Sequence, residues 1–190
     1  MGREPRRVLS RDEAVRGAAR FFLRHGTMEM DALAAELAIS RATLYRLAGS
    51  RDRLLGEALW RLGGGTLARV RGRRTAGGVD GVLEITRHFA DELSRAEPFR
   101  HFLRAEPDTA VRLLTAGPVH RRAVRAQRDI LADAGGTGAE RCWAPDDLET
   151  LAYLYIRVVE SGLYSELLVG RRLDFAVAER AARAVLLGPV

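Results

Sequence analysis

Apolar residues at Val15, Ala18, Ala19 and Phe22 recur at i, i+3, i+4 and i+7, the repeat of a helix with one buried stripe. Ser10 followed by Glu13 is a capping box, and Gly26 after Arg24 and His25 is a stop signal, so the pattern predicts a helix over about 11–25. Met30, Leu33, Ala34 and Leu37 form a second, shorter stripe. After Ala38 and Ile39, Ser40 is a plausible N-cap for a helix over 41–47. Ser50 caps the next, RDRLLGEALWRL, whose stripe is Leu54, Leu55, Ala58, Leu59 and Leu62. The run GGGTLARVRGRRTAGG, 63–78, reads as the flexible end of that helix or a linker.

From Val79 onward the same period predicts helices at about 79–96, 107–115, 118–134, 146–169 and 174–187. Pro98, Pro107, Gly117, Pro118, the GGTG loop at 135–138, Pro145 and Gly170 punctuate them. No segment sustains the period-two alternation of a strand, and no internal repeat is evident. The expected fold class is all-α, with about nine helices divided into 1–62 and 63–190.

Charge separates the same two parts. Residues 1–75 hold 16 Arg against 8 acidic residues, whereas 76–190 hold 15 against 17. A basic head on a nearly neutral body suggests that the head binds a polyanion. All 31 Lys and Arg positions are Arg, which excludes a Walker lysine, a Schiff-base lysine and a Ser/Lys dyad. The single cysteine, Cys142, cannot form an internal disulfide, and neither CxxC nor HExxH occurs. His25, His88, His101 and His120 are scattered; His101, His120 and Cys142 could meet only through folding. No metal and no cofactor is expected, and no catalytic nucleophile accompanies His88 with Asp91 or His101 with Glu106. The absence of a signal-peptide pattern and of a membrane-spanning run leads to the expectation of a cytoplasmic protein with no membrane partner.

Helix, short turn and helix, the second carrying small and polar residues with Arg and Tyr, meets the physical requirement for entry into a DNA major groove. Arg41 and Arg46 can reach phosphates or guanine edges, Thr43 a thymine methyl or a phosphate, and Tyr45 the backbone through its hydroxyl. Ser40 and Ala42 complete the expected DNA-facing set, while Leu44 should turn inward.

Residues 13–62, with FFLRHG followed by DALAAELAISRATLYRLAGSRDRLL, resemble the N-terminal domain of TetR-type transcriptional regulators. The resemblance implies that 41–47 is a recognition helix, that Tyr45 anchors on a phosphate, that Thr27 makes another phosphate contact, and that Arg51 replaces the lysine usual at the start of the fourth helix. Three positions depart from the family pattern. Leu47 and Ala48 stand where a His or Tyr followed by Phe is typical, and Ala38 replaces a frequent turn glycine, at a cost of about 1 kcal/mol if φ must be positive.

The resemblance also implies that the second half dimerises and binds a small molecule. LAYLYIRVVESGLYSELLVG, 151–170, is apolar on nearly every face and so calls for burial on two sides. One side is expected to face the domain core and the other a partner, with Gly162 admitting a second backbone. With 174–187 it suggests a four-helix interface in a homodimer. Arg157 and Glu160 share one face. They form either an internal or intersubunit ion pair, or the contact for the head of a ligand lying among Phe89, Leu93, Phe99, Phe102, Leu103, Tyr153 and Tyr164. FLRAEPDTAVRLLT and LAYLYIRVVESGLYSELLVGRRLD are similar to a TetR subgroup that includes a repressor of quorum-signal (acyl-lactone) degradation, which implies an apolar, acyl-chain or lactone effector. The resulting expectation is a non-enzymatic, ligand-responsive dimeric repressor on a double-stranded, near-palindromic DNA operator; the alternatives are an activator with the same fold and a helical acyl-binding protein.

Overall fold

The capping signal at Ser10 is used as read. The Ser10 N–H donates to the Glu13 carboxylate at 2.9 Å and the Glu13 N–H donates to Ser10 Oγ at 3.2 Å, opening α1, Arg11–His25. Gly26 closes it in the left-handed region at φ 68°. In this computed structural model the described residues are 9–136, 142–171 and 173–188; Thr137 and Gly138 of the GGTG loop, and Arg3, Arg6 and Arg7 of the basic head, lie outside them.

α2, Met30–Glu36, and α3, Arg41–Ala48, pack on each other and on α1, and α3 also packs on α4, Arg51–Arg71. α4 does not end at the glycine run. It continues unbroken through Gly63, Gly64 and Gly65, because tertiary packing on both sides of the run outweighs three poor helix formers.

α5, Gly78–Arg95, is followed by α6, Glu97–Ala105, a helix not anticipated from the sequence. Pro98 is punctuation in the sequence pattern, yet it sits in the first turn of α6, where its missing N–H costs nothing. α7, Pro107–Val111, runs into a π-helical turn, Arg112–Ala116, before α8, Pro118–Ala134. The expected single helix over 146–169 is a short 3₁₀ turn, Pro145–Asp147, then α9, Leu148–Leu163, a break at Tyr164, and α10, Ser165–Val169. α11, Phe175–Leu187, closes the chain. Among the described residues there is no strand.

Two apolar clusters hold these helices. The first joins Phe22, Leu44, Leu54 and Leu55 of the head to Phe102, Leu114 and Tyr164, so the head shares its core with the body. Phe22 and Phe102 meet edge-on at 5.7 Å. The second gathers Leu83, Ile130, Leu151, Tyr155 and Leu186, and the Trp143 indole N–H donates to the Leu186 carbonyl at 2.9 Å. Gly162 serves this second layer. A Cβ there would collide with the Ala178 Cβ of α11, so the glycine permits α9 and α11 of one chain to approach, and the expectation of a partner backbone at that position is corrected.

Candidate DNA interface and effector cavity

α3 is held from below and open above. Leu44 is fully buried, while Arg41, Ala42 and Arg46 are exposed and Thr43 and Tyr45 half-buried. Ser40 Oγ accepts the Thr43 N–H at 3.1 Å and lies 2.9 Å from Thr43 Oγ1, which fixes the first turn and occupies the Thr43 hydroxyl. The Arg41 guanidinium lies 5.5 Å from the Tyr45 ring centre and donates to Asp31 of α2 at 3.1 Å. Tyr45 and Asp31 both hold it in its charged form. The turn entering α3 contains Ala38 at φ 53°, the strained conformation anticipated where a glycine is usual.

Thr27 is half-buried between α1 and α2. Arg51 has its donors directed inward, Nε to the Met28 carbonyl at 2.8 Å and Nη2 to Glu106 at 2.5 Å. One residue along, Asp52 accepts from Arg112 of the π turn at 2.5 Å. The start of α4 is therefore tied to the α6–α7 region by two ion pairs, a junction that sequence spacing could not disclose.

Between them, α1, α4, α5, α6, α8 and α9 line a cavity of about 680 Å³ that opens to solvent. Phe89, Leu93, Phe99, Glu160 and Tyr164 line it, as the sequence suggested. Leu103 instead lines an adjoining open cleft of about 740 Å³, to which Leu93, Phe99 and Tyr164 also contribute. Phe102 reaches neither, because its ring is spent in the core against Phe22. Tyr153, 44% exposed, and Arg157 lie outside the cavity as well. Arg157 Nη1 donates to the Thr115 carbonyl at 2.6 Å and to Glu160 Oε2 at 3.2 Å, beneath the Tyr153 ring. The internal ion pair is what forms here.

Glu160 faces the cavity with its carboxylate already engaged: Oε1 lies 2.7 Å from His120 Nδ1, and Arg157 holds the other oxygen. Burial pushes its carboxyl above the ordinary carboxylate range, against the opposing pull of His120 and Arg157. Thr86 Oγ1 lies 2.7 Å from the Tyr155 hydroxyl and 3.0 Å from the Val82 carbonyl. These two, with Gln127 and Trp60, are cavity residues that sequence reasoning missed. Gln127 and Thr86 had left a signal, since each is a polar residue on an otherwise apolar stripe of its helix.

Among the described residues no group of three or more His, Cys, Asp and Glu could hold a metal ion, and no helix is long and apolar enough to cross a membrane. A family model described as "Tetracyclin repressor-like, C-terminal domain" matches residues 77–187. The R. erythropolis transcriptional repressor QsdR has a similar solved structure, with 24% identity, 93% of each chain covered and a TM-score of 0.79. No curated protein matches the sequence.

Proposed function

Because the chain belongs to the tetracycline repressor-like family, whose members are DNA-binding regulators and not enzymes, we propose that it is a dimeric repressor released from a near-palindromic operator by a small apolar or lactone-type effector. The observation that carries this reading is the shared wall: α1 and α4, which support α3, also line the cavity. An occupant that fits better when α1 and α4 are displaced shifts the protein toward that conformer, and with it the placement of the two recognition helices. In a dimer these would enter major grooves about 34 Å apart, a spacing that a small rotation of each head spoils. An effector equally favourable to both conformers would release nothing.

The dimer reading is supported by the apolar surface left uncovered on the last helices, where Leu154, Leu168, Val169, Val177 and Leu187 are all exposed. QsdR is a transcriptional repressor, which supports repression over activation. The test is a gel shift on the DNA upstream of the protein's own coding sequence, with and without a medium-chain lactone. A specific complex that the lactone dissolves is expected. Failure to prefer that DNA over random duplex would remove the operator reading, and a complex indifferent to every chain length would remove the effector.

A further inference from the structure

Among the described residues, two buried side-chain nitrogens lack a hydrogen-bond partner, Arg74 Nη1 and Gln127 Nε2, and of the two residues only Gln127 lines the cavity. An unpaired buried amide donor is unfavourable by about 1–3 kcal/mol, so its persistence on an apolar helix stripe calls for a reason. Gln127 is only 5% exposed, flanked on that stripe by Val119 and Ala123 on one side and Ile130 and Leu131 on the other.

Of the other polar groups of the cavity, Thr86, Tyr155 and Glu160 are already committed. The Thr86 hydroxyl donates to the Val82 carbonyl, so it accepts the Tyr155 proton, and neither hydroxyl has a hydrogen left to give. Glu160 accepts from His120 and Arg157 and presents negative charge to the interior. Three of the four arginines that line the cavity are paired, Arg16 and Arg61 with Asp12 and Arg69 with Glu92. An anionic head group would meet the Glu160 charge inside, with Arg20 the one lining arginine outside these ion pairs. A neutral head with one acceptor oxygen meets none of these costs.

We propose that Gln127 is the specificity-determining residue of the cavity and donates its amide N–H to the carbonyl oxygen of an uncharged ester, lactone or ketone whose hydrocarbon part fills the apolar remainder. This rests on the cavity being the effector site. It also moves head-group recognition from Arg157, on the outside of α9, to α8.

Calorimetry on the full-length protein tests it with three probes of equal chain length: a γ-lactone, the matching cyclic ether without the carbonyl, and the ring-opened hydroxy acid. Wild type is expected to bind the lactone about tenfold tighter than the ether, the value of one buried hydrogen bond to an otherwise unpaired donor, and the hydroxy acid weakest. Gln127→Leu should abolish the lactone-over-ether preference while keeping ether affinity. Gln127→Met, closer in shape, repeats the measurement should Leu not fold. Retention of the tenfold preference in either folded variant, no such preference in wild type, or tightest binding of the hydroxy acid, would each overturn the assignment. If no probe binds wild type, the cavity reading falls together with it. If the lactone binds through Gln127 but leaves the operator complex intact, Gln127 stands and the release mechanism falls.

Discussion

α3 and the cavity are built by opposite rules. α3 is shaped by residues adjacent in sequence: Ser40 caps it and Leu44 anchors it, while Arg41, Ala42 and Arg46 face out. The cavity is assembled from six helices, and the bonds that join its walls link residues far apart in sequence. Thr86 meets Tyr155 across 69 positions, and His120 meets Glu160 across 40. A surface that must adapt to a charged polymer can be local, while a shaped interior for one small molecule must be tertiary.

The largest expected effect separates the two by ionic strength. If the dimer makes about 6–10 phosphate contacts, raising salt from about 50 to about 200 mM should weaken operator binding by about 10³–10⁵-fold. Effector binding in the cavity should change little over the same range, because the proposed effector carries no charge. Fluorescence titrations of DNA and of effector at matched salt concentrations check both. Parallel salt dependence would break the comparison.

Next comes the pair Gly162→Ala and Leu187→Glu. The first places a Cβ against Ala178 and should cost about 1–3 kcal/mol in denaturant melts without changing the oligomer. The second alters an exposed apolar residue and should weaken self-association in sedimentation, with the single-chain fold intact. Exchange of these two outcomes would place the interface at Gly162 after all.

Arg157→Ala removes the donor to the Thr115 carbonyl and one partner of Glu160. Because Arg157 is partly solvated, a loss of about 1 kcal/mol in stability is expected, with effector affinity unchanged. Selective loss of effector affinity, measured by calorimetry, would return Arg157 to the ligand site.

The smallest effect concerns the junction after α4. Glu84 accepts the Ala76 and Thr75 N–H groups at 3.0 Å each, which holds its carboxyl below its ordinary value of 4.5. An acid whose folded value is depressed contributes stability that is present above pH 4.5 and lost as the pH falls through the lower folded value. Protection factors for amide exchange at Thr75 and Ala76, corrected for the intrinsic pH dependence, should therefore fall in acid, and Glu84→Gln should remove that dependence.

Most of the head was legible because its signals are short-range. Ser10 with Glu13, Ser40, Ser50 and Gly26 are terminators whose partners lie within four residues, and all four act as read. The strain at Ala38 was visible for the same reason. Arg51 was not, because Glu106 lies 55 positions away and charge alone does not say whether an arginine faces DNA or its own protein. In the body, α6 was hidden by a proline that suits a first turn as well as a loop, and the break at Tyr164 by a run too uniformly apolar to show an interruption. Phe89, Leu93 and Phe99 could be nominated for the cavity from apolar character, but so could Phe102, and only packing distinguishes a wall from a core.

The uninterrupted passage of α4 through Gly63, Gly64 and Gly65 also has a consequence in time. Each glycine weakens a helix by about 1 kcal/mol relative to alanine, and at 63 and 65 no neighbour stands where a Cβ would go. The residues of lowest helix propensity in the helix that joins head to body thus lie in the wall of the cavity, since Gly63 and Gly65 both line it. Segments of this kind open and close most often, well below the free energy of global unfolding. If an effector passes through this stretch, Gly65→Ala should slow its entry and exit together in stopped-flow binding while leaving their ratio nearly constant.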